Sequence, residues 1–192
     1  MEELGDIKTY AKNHAVPIAQ DESSDFICNY IKEHNCKNVL EIGTAIGFSS
    51  IKFAQVSDDV FVTTVESDID RHIKAKDNIS SHNLEHKINA IYADALTWQC
   101  EKKFDLIFID AAKAQYINFF EKYKENLAEN GVIITDNLSF HGMVEDMSLT
   151  YNYSTKRLVR KIRKYIEFLK ANKDYHTDFY KCGDGISVSY KV

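Results

Sequence analysis

The sequence predicts a three-layer α/β sandwich, a mainly parallel sheet between two layers of helices. Three observations carry this expectation. Short β-branched runs alternate with longer segments of helical period, which is the pattern of parallel strands joined by crossover helices. A single proline, Pro17, and seven glycines are spread without any linker-like stretch, so residues 1–192 read as one domain. The last two β-type runs are separated only by Gly183-Asp184-Gly185, which closes the sheet with an antiparallel hairpin.

Taken in order, two helices within residues 1–36 form a cap ahead of the first strand, Asn38 to Ile42. Further strands are expected at Val60 to Glu66, Lys87 to Ala93, Phe104 to Asp110 and Gly131 to Asp136, then Tyr175 to Cys182 and Ile186 to Lys191. These make seven strands. Helices are expected at Ser49 to Gln55, Ile69 to His82, Gln115 to Glu129 and Thr155 to Asn172. Phe140 to Tyr153 has no clear period and reads as a candidate lid.

Composition narrows the class of protein. Hydrophobic residues at 44%, charged residues at 28% and a net charge of -5 exclude a disordered chain. Cys28, Cys36, Cys100 and Cys182 include no Cys-x-x-Cys pair and are too sparse for a disulfide framework, so reduced thiols and no structural zinc are expected. No basic and apolar leader opens the chain, and no run nears the ~18 apolar residues of a membrane span. A cytoplasmic protein without membrane contact is the expectation.

In open α/β sheets ligands bind beyond the carboxyl ends of the strands, so those ends are where chemistry is sought. The first runs into Glu41-Ile42-Gly43-Thr44-Ala45-Ile46-Gly47-Phe48-Ser49. Glycines there let backbone approach a ligand, and a helix N-terminus with the Ser49 hydroxyl offers donors to an anion. An ordinary turn with Ser49 as N-cap would use the same residues. Glu66 ends the second strand, 23 residues after Gly43, where nucleotide-binding folds place an acid for ribose hydroxyls. Asp94, ending the third, suits an adenine edge or a helix cap.

The fourth and fifth strands end in Asp110 and in Asp136-Asn137. Three oxygen donors without His or Cys suit Mg²⁺, which keeps several waters and takes few protein ligands. Lys113, three residues after Asp110, turns back toward such a cation, whose charge favours the neutral amine that a general base needs. Without Asp110 it would read as a solvent-facing lysine.

Together, Glu41-x-Gly43-x-x-x-Gly47-Phe48-Ser49, Glu66, Asp110-x-x-Lys113, Asp136-Asn137 and Gly183-Asp184-Gly185 resemble the class I S-adenosylmethionine-dependent, cation-dependent O-methyltransferases of the catechol and caffeoyl-coenzyme A type. The resemblance runs from about Val16 to the end. It implies a Rossmann-like methyltransferase sandwich. It also implies that Glu41, Gly43, Thr44, Gly47, Ser49, Glu66 and Asp110 surround S-adenosylmethionine, with Val16 to Ile18 covering it and Ala93 to Asp94 at the adenine. Asp110, Asp136 and Asn137 would hold Mg²⁺ or Mn²⁺, and Lys113 would be the catalytic base. A homodimer is implied as well. The sequence departs from the catechol enzymes at Ala45, where they carry a tyrosine, and at Ala111-Ala112, which lacks a ring-clamping aromatic.

Charge bears on the acceptor. Ser154 to Lys173 carries a net +7, leaving -12 for the rest of the chain. Leu158, Ile162, Tyr165, Ile166 and Leu169 form one apolar stripe, and Lys156, Arg157, Arg160, Lys161, Arg163 and Lys164 the opposite face. Such a face is a solvated surface or a polyanion site. Within the family, Phe108 to Tyr116 and Ile134 to Leu138 are most similar to the bacterial tRNA 5-hydroxyuridine methyltransferases. That similarity implies methylation of 5-hydroxyuridine to 5-methoxyuridine at the wobble position of a tRNA anticodon loop. Arg157, Arg160, Lys161 and Lys164 would then contact RNA, and Phe140 and His141 the base. The alternative acceptor is a small catechol or caffeoyl-type molecule, and outside enzymes a catalytically silent RNA-binding module.

Overall fold

The computed structural model describes residues 4–192. The start of the expected N-terminal cap, residues 1–3, lies outside them. Helices α1 (Gly5–Asn13) and α2 (Asp21–Glu33) precede β1 (Asn38–Ile42), followed by α3 (Phe48–Ala54), β2 (Phe61–Glu66), α4 (Ile69–Ser81) and β3 (Ile88–Tyr92). Then come β4 (Phe104–Ile109), α5 (Tyr116–Tyr123), β5 (Leu127–Thr135), α6 (Tyr153–Ala171), β6 (Tyr175–Tyr180) and β7 (Ile186–Lys191). The seven strands form one sheet in the order β3-β2-β1-β4-β5-β7-β6. Pairings are parallel up to β5 and antiparallel at β5-β7 and β7-β6. The direction of winding reverses between β1 and β4, and the crevice of an open sheet lies at that switch.

Alternation along the strands sends successive side chains to opposite layers. Val39, Leu106, Phe108 and Ile134 pack with Ile7, Ile27, Ile31, Ile51 and Phe53 on the face of α1, α2 and α3. Leu40, Ile42, Ile107, Ile109 and Ile133 pack with Phe119, Phe120, Tyr123, Ile162 and Tyr165 on the face of α5 and α6. The four cysteines are free thiols. No helix among the described residues is long and apolar enough to cross a membrane.

Two elements differ from expectation. The helix expected to reach Glu129 ends at Tyr123, passes through a short 3-10 turn at Lys124–Asn126, and gives way to a strand starting at Leu127. The Asn126 amide donates to the carbonyls of Cys100 and Lys102, and Leu127 pairs with Phe104, so the chain is drawn into the sheet beside β4 early. On α6 the apolar stripe is centred on Val159, Ile162, Tyr165 and Leu169, with Leu158 and Ile166 on its flanks. Arg163 leaves the basic face: its Nε and Nη2 donate to the Val144 carbonyl at 2.8 and 2.6 Å. The first half of the expected lid is therefore tied to α6, while Tyr151 is 94% and Tyr153 76% exposed.

Candidate active site

The β1 turn is shaped by the protein's own backbone. Gly43 has φ +104°, and a Cβ there would lie 2.2 Å from the Asp110 carbonyl oxygen, so only glycine lets the β1 turn pass this close to the end of β4. Gly43 lines the cleft as well, so the same residue makes the close approach to Asp110 and borders the open volume. Gly47, with φ +85°, is the N-cap of α3 and stands outside the cleft lining. The Ser49 hydroxyl is no cap; it donates to Glu41 Oε1.

Glu41 itself lies beneath the turn, fully buried and away from the cleft lining. Ser49, Ser50 and Thr64 donate their hydroxyls to its two oxygens. Burial nevertheless pushes its carboxyl up to about 7, because desolvation outweighs the three hydroxyl donors and the nearby Asp110 charge adds to it. Its place is that of a strut under Thr44 and Ser49, both of which do line the cleft.

Glu66 sits in the cleft as expected. Its Oε2 accepts the Ala45 N–H at 2.8 Å, and its Oε1 accepts those of Ser67 and Asp68, each at 2.9 Å. Three backbone donors hold the carboxylate against the β1 turn while leaving it facing the open volume. Ala93 and Asp94 line the same wall, and Asp94 Oδ1 also accepts the Leu96 N–H, so its lining and turn-forming roles coincide. The covering strap is shifted by one residue: Pro17, Ile18 and Ala19 line the cleft, whereas Val16 faces an outer depression beside Lys8 and Lys12. Arg71 and Phe119 also line the cleft, though nothing in their sequence context marks them.

At the other end of this cavity of about 540 Å³ are Asp110, Lys113 and Asn137. Asp136 lies just behind them at 0% exposure. Its Oδ1 accepts the Ser23 hydroxyl at 3.1 Å and the Asn137 N–H at 2.7 Å, while its Oδ2 is buried with no hydrogen-bond partner. Burial and the neighbouring Asp110 push the Asp136 carboxyl up to about 6. Burial likewise raises Asp110, against the pull of the Lys113 ammonium. Burial disfavours the charged form of both carboxyls, and a cation beside them would offset that cost.

The donor set fits a hard divalent ion. Among the described residues no three His, Cys, Asp or Glu side chains converge on one point. The set here is two carboxylates and the Asn137 amide, which suits an ion that keeps most of its waters. Asn137 has φ +63° and is one of three consecutive-region residues, with Phe140 and His141, in the left-handed conformation. Such backbone persists where surrounding contacts over-determine it. Here Asp184 supplies them, its carbonyl accepting the Ser139 N–H at 2.7 Å and its Oδ1 the His141 N–H at 2.6 Å. The Phe140 ring ends up 5.9 Å from Lys113 Nζ.

Lys113 and Gln115 also border a second groove of about 460 Å³, lined by Arg157, Lys161 and Lys164 from α6. Arg160 does not line it. The basic helix and the cleft therefore meet at Lys113.

A mainly parallel open sheet with a glycine turn after β1, an acid ending β2 and carboxylates across the switch point is the layout of the α/β nucleotide-binding folds. The O-methyltransferase family model matches residues 1–192, and the chain belongs to that family. A solved Staphylococcus aureus protein, provisionally described as a caffeoyl-CoA O-methyltransferase, shares 37% identity at a TM-score of 0.95, over 100% of this chain and 93% of that one. The O-methyltransferase from Bacillus cereus, solved with S-adenosylhomocysteine (SAH), shares 25% identity at a TM-score of 0.84, over 98% and 90%. An Arabidopsis thaliana protein, also provisionally described as a caffeoyl-CoA O-methyltransferase, is 29% identical over 148 residues, 73% of this chain; the chain spans 62% of that relative's length. The Rossmann-like methyltransferase fold expected from the sequence is the fold of these relatives.

Proposed function

We propose that this chain transfers a methyl group from S-adenosylmethionine to one hydroxyl of an acceptor with two neighbouring oxygens, assisted by Mg²⁺ or Mn²⁺ at Asp110, Asp136 and Asn137. The observation that carries the metal part is Asp136 Oδ2, buried and unpartnered behind the cleft-lining Asp110 and Asn137. Family membership and the SAH complex of the Bacillus cereus relative support the methyl donor.

When bound, the donor supplies an electrophilic sulfonium methyl and the cation a Lewis acid that orients and acidifies two adjacent oxygens. The chain's own residues do the rest. Glu66 accepts from the ribose hydroxyls, and Pro17 to Ala19 cover the donor against water. Lys113 takes the proton from the acceptor hydroxyl at Nζ, and the Phe140 ring beside it gives a flat acceptor one wall. Most of the acceleration comes from holding nucleophile and methyl carbon in line, since the sulfonium is already activated.

For the acceptor, the descriptions of the relatives favour a small catechol or caffeoyl-type molecule. One observation favours the 5-hydroxyuridine of a tRNA anticodon loop as a second reading: the groove of Arg157, Lys161 and Lys164 opens beside the cleft at Lys113, where a phosphodiester backbone would lie. A 5-hydroxyuracil presents its hydroxyl next to the 4-carbonyl, the same oxygen pair as a catechol. Radiolabelled donor offered with a catechol panel, or with bulk tRNA lacking the modification, separates the two. Labelled catechol with inert tRNA supports the first, and labelled tRNA whose yield falls with salt and in Arg157→Glu supports the second. Light scattering of the purified protein reads the homodimer that the resemblance implies.

A further inference from the structure

Ser23 plays no part in the function proposed above, yet its surroundings are built around it. It stands in the first turn of α2 at 0% exposure, far from the strands in sequence. A fully buried hydroxyl is costly unless bonded, and the bond Ser23 makes is to Asp136 Oδ1 at 3.1 Å. Its seat is cut from the opposite side by Gly183, where an added Cβ would lie 2.2 Å from Ser23 Oγ. Gly183 is in turn held to α2, its N–H donating to Glu22 Oε2 at 3.1 Å.

Around Asp136, the main chain and side chain are fixed separately. The Tyr116 hydroxyl donates to the Asp136 carbonyl at 3.0 Å, which holds the backbone. Ser23 Oγ and the Asn137 N–H both donate to Oδ1, which stops rotation of the carboxylate and leaves Oδ2 aimed one way without a partner. We propose that Ser23 is a positioning residue for the cation: by occupying Oδ1 it presents the free Oδ2 lone pairs in a fixed direction. The inference rests on the metal reading of Asp110, Asp136 and Asn137. Outer hydrogen bonds to a ligating carboxylate characteristically account for 10- to 100-fold in metal affinity, on the order of what is expected here.

The test is a Mn²⁺ titration followed by electron paramagnetic resonance, with SAH present, on the wild-type protein and on Ser23→Ala. The expected result is Mn²⁺ affinity about 10-fold weaker in Ser23→Ala. SAH affinity and the metal-free melting temperature should stay near wild type. In an Asp136→Asn background the same substitution should have no further effect on residual Mn²⁺ binding. Unchanged Mn²⁺ affinity in folded Ser23→Ala overturns the inference and leaves the metal reading standing. Loss of Mn²⁺ affinity only in step with SAH affinity and melting temperature also overturns it, since that is what a packing role produces. Absence of a Mn²⁺ site in the wild-type protein overturns the metal reading itself.

Discussion

The two ends of the cleft treat their carboxylates in opposite ways. At the donor end, Glu66 accepts three backbone N–H groups, and Glu41 beneath the turn accepts three hydroxyls, so both are satisfied by the fold. At the other end, Asp136 keeps one buried oxygen without a partner beside a second raised carboxyl, Asp110. The first end is complete in itself and only has to receive a ligand. The second is, in the function proposed above, completed by a charge from outside, and that would be the physical difference between a binding wall and a cation corner.

The largest effect that would break this contrast is expected from Asp136→Asn. It should cut methyl transfer by about 10³-fold or more while SAH affinity, read by calorimetry, stays within about twofold. Equal losses in both would mean that the two ends do not divide the work. Lys113→Met comes next, with a rate loss of about 10²-fold and near-normal Mn²⁺ and SAH affinities, because a general base is felt in the proton transfer. Glu66→Gln sharpens the other side: about tenfold weaker SAH binding with unaltered Mn²⁺ affinity. An altered Mn²⁺ site in that variant would contradict the separation.

The smallest effect concerns Glu41. Its carboxyl is up at about 7 in the folded chain against an ordinary 4.5, so the folded state holds a proton that the unfolded chain has released across that window. The stabilisation is full below the ordinary value and is lost as pH rises through about 7. Glu41→Gln should therefore flatten the fall in melting temperature between about pH 5 and 8 by a few degrees, checked by calorimetry in parallel buffers. Identical slopes would place the charge of Glu41 elsewhere.

The same contrast explains what could be read from the chain. Strand ends were legible because parallel strands are apolar runs, so Glu66, Asp110 and Asp136-Asn137 stand out as the first polar groups after Val65, Ile109 and Thr135. The sequence predicts a longer helix after Lys113 than the fold forms, because Tyr116, Phe119, Phe120 and Tyr123 set a helical period that nothing visible in the sequence stops before Leu127. Thr64 and Ser50, which donate to Glu41, look like ordinary strand and helix residues, so the buried network around Glu41 is not legible in the sequence. Ser23 could not be found at all, since 113 residues separate it from Asp136 and only the folded sheet brings them together. The strained turn of Phe140 and His141 was equally hidden, being set by Asp184 from the distant hairpin.

Whether a divalent cation completes the Asp110, Asp136 and Asn137 corner is reached directly by one measurement. Methyl transfer from labelled S-adenosylmethionine to a catechol and to tRNA is followed before chelation, after exhaustive EDTA treatment, and after Mg²⁺ is restored. Transfer to one of the two acceptors that vanishes on chelation and returns with Mg²⁺ is the predicted result. Transfer that continues at full rate in the chelated protein would contradict it.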